Sequence, residues 1–285
     1  MSEDTGTASD QAFSALGSPL RLEILRVLVE AAEAGDHELS FSDIYDRVDI
    51  DSTSQLSYHL DTLTASFVHN TARGYTLTQA GDRVVRVVRS GTYSEEPSFD
   101  PTTIEGQCPY CVGTVLTADY RDAALVVECD SCHERVVTFD LPPAEARDRT
   151  SLEILHSCNR RAHQEYATAL QGSCPTCGGS TTTTIEQHDE PTSYICVAAC
   201  RQCGLRRFAP LEVRLLHHPA VVSFYWAFGI DASTLPLWDL PSYVANWEIE
   251  PTATDPYEFE ITVVHDGDSV RVAVDAELNV SVLTA

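Results

Sequence analysis

Ser18-Pro-Leu-Arg-Leu-Glu-Ile-Leu-Arg-Val-Leu28 opens the most informative stretch of the chain, and Ser52-Thr-Ser-Gln-Leu-Ser-Tyr-His-Leu-Asp-Thr-Leu63 is its centre. In the first segment Ser18 can cap a helix and Pro19 suits the first helical position, while Leu20, Ile24, Leu25 and Leu28 recur at helical spacing. Ser40 and Asp43 have the spacing of a capping box for a second helix, whose apolar side is Phe41, Ile44, Tyr45 and Val48. After the turn Asp49-Ile50-Asp51, Ser52 and Gln55 repeat that spacing and start a third helix that runs to about Thr64. Phe67-Val68-His69 and Tyr75-Thr76-Leu77 are short strand-like runs. Thr71-Ala72-Arg73-Gly74 joins them into a hairpin with glycine at its tight end.

Three helices and a hairpin in this order read as a winged helix-turn-helix over Pro19–Gly81, with the third helix as the one that would enter a DNA groove. At about 100° per residue, Leu56, Leu60 and Leu63 share one stripe directed at the first two helices. Ser54, Tyr58 and Asp61 point the opposite way, with Ser57 and Thr62 on the flanks. Gln55 lies on a flank in the first turn, the end that usually meets base edges. The candidate DNA contacts are therefore Ser54, Gln55, Ser57 and Tyr58 on the helix, Arg73 at the hairpin tip, and Arg83 in the helix that follows. His59 sits near the apolar stripe and is expected to be a partly buried structural histidine.

The order helix, helix, S-Q-L-S-Y-H-L-D-T-L (Ser54–Leu63), hairpin, then L-T-Q-A-G (Leu77–Gly81) resembles the arsenical-resistance-repressor (ArsR-like) group of winged-helix transcription regulators. More narrowly, the layout resembles haloarchaeal regulators that carry such a domain ahead of a cysteine-bearing C-terminal region. The similarity covers about the first third of the chain. It implies a sequence-specific regulator that binds double-stranded DNA as a homodimer. Metal-sensing members carry a cysteine pair in the helix before or at the recognition helix. Here no cysteine precedes Cys108, so that sensing site is absent. Ala12 to Leu16 and the valine-rich Val84-Val85-Val87-Val88 are the expected dimer surfaces, because the latter has more apolar side chains than one contact stripe needs.

The chain has 285 residues, enough for two or three domains with proper cores. No apolar run approaches a membrane span, and Met1-Ser-Glu-Asp-Thr-Gly-Thr-Ala-Ser-Asp10 lacks the basic-then-apolar order of a signal peptide, so a cytoplasmic protein without membrane contact is expected. The formal net charge is −25, and all 18 basic residues are arginine. An acidic, lysine-free composition fits a cytoplasm with molar salt, where screening over a few ångströms removes self-repulsion. Acidity counts against nucleic-acid binding, but residues 62–92 hold Arg73, Arg83, Arg86 and Arg89 against the single acid Asp82, a local balance of +3.

From Ser90 to Thr103 the chain is polar, contains two prolines and shows no periodicity, which reads as a linker. Two quartets of cysteines follow. Cys108-Pro-Tyr-Cys111 and Cys129-Asp-Ser-Cys132 form one; Cys174-Pro-Thr-Cys177 and Cys200-Arg-Gln-Cys203 form the other. Each Cys-x-x-Cys can close a tight knuckle whose two thiolates coordinate one ion, and two knuckles complete a tetrahedral four-sulfur shell. The intervening 17 and 22 residues carry β-prone runs, Ala123–Glu128 and Thr181–Ile185, and further strand runs, Arg135–Phe139 and Arg206–Arg214, follow the second knuckles. That is a zinc ribbon, twice, with zinc as the expected cofactor at two ions per chain; iron is the alternative in such a site. Disulfides are disfavoured in a reducing cytosol, and a redox-active Cys-x-x-Cys belongs in a βαβ unit. Cys158 is expected to be a buried small side chain, while Cys196 competes with Cys200 for the ligand position but lacks the knuckle spacing.

Pro142 to Gly172 reads as one long helix with Leu152, Leu155, Ala162, Tyr166 and Leu170 in a stripe. A short aromatic helix over His217–Phe228 and strands near 243–250, 257–264, 269–275 and 278–284 complete the chain. His217 and His218 have metal-binding chemistry but suit a polar helix entrance better, and Phe224, Tyr225, Trp226 and Phe228 suit a core. The expected architecture is α+β. A winged helix-turn-helix occupies residues 1–92, a linker 93–106, a first zinc ribbon 107–141, and a connecting helix 142–172. A second ribbon then occupies 173–216, and an α+β region with a small antiparallel sheet 217–285. The function class expected is a DNA-binding transcription regulator. The alternative is a zinc-organised adaptor whose winged helix docks on protein. An enzyme is not expected, because no nucleophile–base pair or open metal position can be pointed to.

The charge generates a first prediction. The protein should be folded at molar KCl and lose structure or aggregate at about one-tenth of that salt, where like charges are screened over longer distances. Circular dichroism unchanged across the range would give the acidity another cause.

Overall fold

The structure is a computed structural model that describes residues 4–188 and 194–283. Among these it is an α+β chain with ten α-helices and four small antiparallel sheets. It divides into two compact units: one runs to Glu96 and takes in Pro142–Ala144, and the other holds Pro97–Leu141 and the chain from Glu145 on.

The first unit contains α1 (Asp4–Leu16), α2 (Pro19–Glu33), α3 (Phe41–Tyr45) and α4 (Thr53–Thr64), then a hairpin of β1 (Val68–Asn70) and β2 (Tyr75–Leu77), then α5 (Gln79–Arg89). Ile24, Leu25 and Leu28 of α2, Ile44 of α3, and Leu56, Leu60 and Leu63 of α4 form its core with Val68 and Val85. Ser40 and Asp43 make the full capping box, with bonds of 3.0 and 3.2 Å. The box at α4 is only half made among the described residues: the Ser52 hydroxyl accepts from the Gln55 N–H at 3.3 Å, and the Gln55 side chain returns nothing. Ser18 begins α2 without a side-chain cap bond. The hairpin closes on Leu39, whose N–H and carbonyl bond Tyr75 at 3.1 and 2.8 Å. A Cβ on Gly74 would lie 2.2 Å from the Leu39 carbonyl oxygen, so only glycine permits this approach.

The second unit begins with a sheet of β3 (Thr102–Glu105), β4 (Val115–Arg121), β5 (Ala124–Cys129) and β6 (Arg135–Phe139) in that order. The expected linker therefore ends earlier than residue 106. Thr102-Thr103-Ile104 is β-branched, Ile104 reaches the core, and the run pairs with Leu116–Ala118 as an edge strand. The expected single helix over 142–172 is two, α6 (Pro143–Ala146) and α7 (Ser151–Leu170). Asp148 is left-handed at φ 54°, and Thr150 restarts the chain with a capping box to Glu153. The buried side of α7 is Ile154, Leu155, Cys158, Asn159, His163 and Ala169, while Leu152, about 200° round the helix from Ile154, is exposed.

The sheet β7 (Thr181–Gln187), β8 (Tyr194–Cys200) and β9 (Arg206–Pro210) follows. The strand expected over 206–214 stops at Pro210, which has no N–H for a ladder, and becomes α8 (Leu211–Leu216), with Leu211, Val213, Leu215 and Leu216 buried. Then come α9 (Pro219–Trp226), α10 (Leu240–Val244) and a four-stranded meander of β10 (Glu248–Thr254), β11 (Tyr257–His265), β12 (Asp268–Val274) and β13 (Val280–Val282). Residues 243–244, expected in a strand, belong to α10; residue 284 lies outside the described residues. Tyr225 is fully buried, whereas Trp226 is exposed, so the aromatic cluster is core only in part. One hydrophobic core spans the unit, and the segments read as separate ribbons, helix and sheet share it.

Among the described residues Asn159 and His163 are the polar side chains buried in this core. Asn159 donates to the Thr234 and Leu235 carbonyls at 3.2 Å and accepts from the Leu237 N–H at 2.9 Å. All three tryptophans lie in this unit, so their fluorescence reports on it alone. Asn159→Ala leaves the buried Leu237 N–H and the Thr234 carbonyl unpaired, while His163 still holds the Leu235 carbonyl, and should lower the unit's stability by about 2–4 kcal/mol in denaturant titrations read by tryptophan fluorescence. A change within error would show that segment 234–237 is held some other way.

Candidate functional site

Four turns build the two cysteine clusters, and they are nearly the same turn. In each, the first cysteine's N–H bonds the carbonyl five residues on, and the N–H four residues on bonds the first cysteine's carbonyl. The pairs are Cys108 with Gly113 and Val112, Cys129 with Glu134 and His133, Cys174 with Gly179 and Gly178, and Cys200 with Leu205 and Gly204. The fourth residue after the first cysteine is left-handed in every case: Val112 at φ 55°, His133 at 62°, Gly178 at 73° and Gly204 at 75°. Glycine directly after the second cysteine was thus a readable mark of the turn in the second quartet, and absent from the first.

The turns bring Cys108, Cys111, Cys129 and Cys132 together, and likewise Cys174, Cys177, Cys200 and Cys203, with all four sulfurs of each set within 4.8 Å of one another. Cys111–Cys129 and Cys177–Cys200 are 3.5 Å apart; Cys108–Cys132 and Cys174–Cys203 are 3.6 Å apart. A disulfide would need about 2.05 Å. A tetrahedron with metal–sulfur bonds of about 2.3 Å has an edge of about 3.8 Å, close to what is found. Each set could hold one metal ion, giving two per chain. Burial works to raise the Cys129 thiol, but the Cys132 and Ser131 N–H groups outweigh it and bring it down to about 6. The Cys203 N–H does the same at Cys200, to about 6. Four sulfurs leave no place for a reacting water in a tetrahedral shell.

Cys196 is not in either set. It lies mid-strand in β8, opposite Ile185 and Ala209, and burial pushes its thiol up to about 12. Burial does the same to Cys158 on α7. His217 and His218 belong to neither set among the described residues. The His163 Nε2 donates to the Leu235 carbonyl at 2.7 Å, leaving its Nδ1 to accept from His217 Nε2 at 3.1 Å. Burial, then the neighbouring His163 and Arg214, pulls His217 down to about 4, so it stays neutral. His218 caps α9, accepting from the Ala220 N–H at 3.3 Å.

In the first unit Ser54, Gln55, Ser57 and Tyr58 are all exposed on α4, Tyr58 at 64 %, opposite the buried leucines. His59 is partly buried, with Nδ1 unpartnered, and burial lowers its pKa. The arginines are less free than their sequence neighbourhood suggests. Arg73 pairs with Glu38 at 2.5 Å, Arg86 with Asp82 at 2.6 Å, and Arg89 with Glu33 at 2.8 Å and Glu30 at 3.4 Å. Arg83 is exposed and has no ion pair among the described residues. The local balance of +3 is therefore offset by acids from α2 and the segment after it. Phe13 on α1 and Val87 on α5 are exposed apolar side chains.

The cysteine geometry sets a test. Metal analysis of protein purified without added metal should give about two ions per chain. Cys200→Ser should reduce that to about one and lower the melting point of the second unit, whereas Cys196→Ala should leave the metal content unchanged. Loss of metal in the Cys196 variant would reverse the ligand assignment.

Among the described residues no helix is long and apolar enough to cross a membrane. No curated protein and no solved structure matches the chain. Residues 9–88, which contain α2 to α4, the hairpin and nearly all of α5, match a domain of unknown function (DUF7347). A second domain of unknown function (DUF7351) matches residues 105–280, more than half of the chain and all eight clustered cysteines. The chain belongs to that DUF7351 family.

Proposed function

We propose that the protein is a sequence-specific DNA-binding transcription regulator of the ArsR-like winged-helix type, with two structural zinc ions in its C-terminal unit. The observation that carries this reading is the division of α4. Its leucines are buried while Ser54, Gln55, Ser57 and Tyr58 form a polar outward face, and a hairpin with an arginine at its tip follows directly. A helix exposed in this way can lie in a major groove and a hairpin can reach the adjacent backbone. Zinc is the metal that four thiolates in two Cys-x-x-Cys turns favour, and such a closed site organises the fold. The proposal includes a homodimer through the exposed apolar side chains of α1 and α5, which calls for two half-sites about one helical turn, or a multiple of it, apart.

The neutralised arginines favour a second reading, a zinc-organised adaptor whose helical unit docks on protein. A shift assay on genomic fragments at molar KCl separates the two. With a selected fragment, Gln55→Ala should relax preference at one base pair, at a cost of about 1–3 kcal/mol in discrimination, with non-specific binding nearly intact. Arg73→Ala should weaken binding to all sequences and reduce the salt slope by about one. Absence of any shifted fragment, or equal affinity of both variants and wild type, would favour the adaptor.

A further inference from the structure

We propose that Tyr110 and Val112 of the first cysteine turn, with Val115 at the start of β4, form a docking surface for a protein partner that presents an apolar hollow rimmed by arginine or lysine. These are three of the eleven large apolar side chains exposed among the described residues, and they fall within six consecutive positions. Tyr110 is 50 %, Val112 69 % and Val115 45 % exposed.

The molecule contains its own control. The turn at Cys174 has the same backbone bonds, 2.7 and 2.9 Å against 2.8 and 3.1 Å at Cys108, and the same left-handed fourth residue. In it Thr176, Gly178 and Thr181 stand where the first turn has Tyr110, Val112 and Val115. The turn and its four-sulfur set therefore form without apolar residues at these positions. Val112 runs against the backbone's preference as well, since a β-branched residue is disfavoured at φ 55° and the second turn uses glycine there. Val115 suits its place at the start of β4, but neither burial nor backbone geometry accounts for Tyr110 and Val112. Contact with another apolar surface does.

Charge selects the partner. Glu105 stands directly across the sheet from Val115, and the exposed Asp130 and Glu134 belong to the adjoining turn. The nearby arginine is occupied: Arg135 faces Asp122 at 3.8 Å. An acidic rim repels phosphate and repels a second copy of the same surface. It complements arginine and lysine, which at molar salt act mainly in contact, because the Debye length is then about 3 Å. An aromatic anchor with a charged rim is the usual anatomy of such a contact.

The test places a benzoylphenylalanine photo-crosslinker at position 112 of the full chain and illuminates it in an extract of the source cells at molar KCl. The adduct should be with one protein, through a segment whose apolar residues have arginine or lysine on both sides. That protein, purified, should bind the wild-type chain and lose roughly tenfold or more in affinity to the variant Tyr110→Thr, Val112→Gly, Val115→Thr. The metal content and melting point of the variant should match the wild type, and Tyr110→Thr alone should weaken binding in the same direction. An adduct with nucleic acid, with a second copy or with a segment lacking basic residues would overturn the proposal. So would no adduct, or affinity unchanged in the variants.

Discussion

The C-terminal unit depends on bringing eight thiols into two sets. Adjacent sulfurs 3.5 Å apart are an unfavourable arrangement for thiolates, whose charges repel, and a weak one for thiols. The backbone prepares at least one thiol of each set for the charged form, since N–H groups aimed at Cys129 and Cys200 draw these down to about 6. At Cys177 the Gly179 N–H is outweighed by the Cys200 and Cys203 sulfurs, which push the thiol up to about 12. A cation is what such a preparation suits, and its binding free energy then becomes folding free energy. The consequence extends beyond the turns. Cys129 ends β5 opposite Leu116, and Cys200 ends β8 opposite Thr181. Clamping these ends fixes the register of both sheets, and a register shift of one residue would turn Leu116, Ala118, Val127 and Cys196 out of the core.

Between the two clamped sheets in sequence lies α7, which carries the polar part of the core. Apolar contacts set how much surface α7 buries but not where segment 234–237 must sit. Asn159 supplies that: one amide engages two carbonyls and an N–H within four residues. His163, held by the Leu235 carbonyl on one nitrogen and His217 on the other, adds a second fixed point. Burial keeps the His163–His217 pair neutral, so the network orients without bringing an unpaired charge into the core.

The sequence revealed features whose cause is local. Cys-x-x-Cys spacing, the Ser40–Asp43 box and the leucine stripe of α4 each arise within a few residues, and each forms as read. Features decided by distant partners were not legible. Thr102–Glu105 looks like a linker until Leu116–Ala118 lies beside it as a template. Leu211–Leu216 is apolar enough for a strand, and only the termination at Pro210 and burial from several sides make it a helix. Leu152 lies outside the side of α7 that enters the core, because a run with apolar residues on more than one side does not say which face the sheets will cover. Cys196 could be set apart from Cys200 by spacing alone, since six residues separate Cys196 from Cys203 where a knuckle has two.

The arginines show the same distinction between sequence and space, with a functional consequence. Along the chain Asp82 is the single acid near four arginines, whereas in space Glu38, Glu30 and Glu33 stand beside two of them. Exposed pairs of this kind are worth about 0–1 kcal/mol, so a phosphate could displace Glu38 from Arg73 at small cost. Glu38 would then lie near that phosphate and oppose it. With Glu38 opposing it, the Arg73 contact would add sequence-independent affinity that is measurable but smaller than that of an unpaired arginine, and at molar salt counterion release adds little more. If the α4 face reads DNA, its base contacts must carry an unusually large share of the binding. Replacing the carboxylate by an amide, Glu38→Gln, removes the opposing charge. It should therefore strengthen binding to every sequence by a similar factor and leave the gap between the operator and random DNA nearly unchanged, whereas a protein-docking role for this unit leaves DNA affinity negligible in both forms.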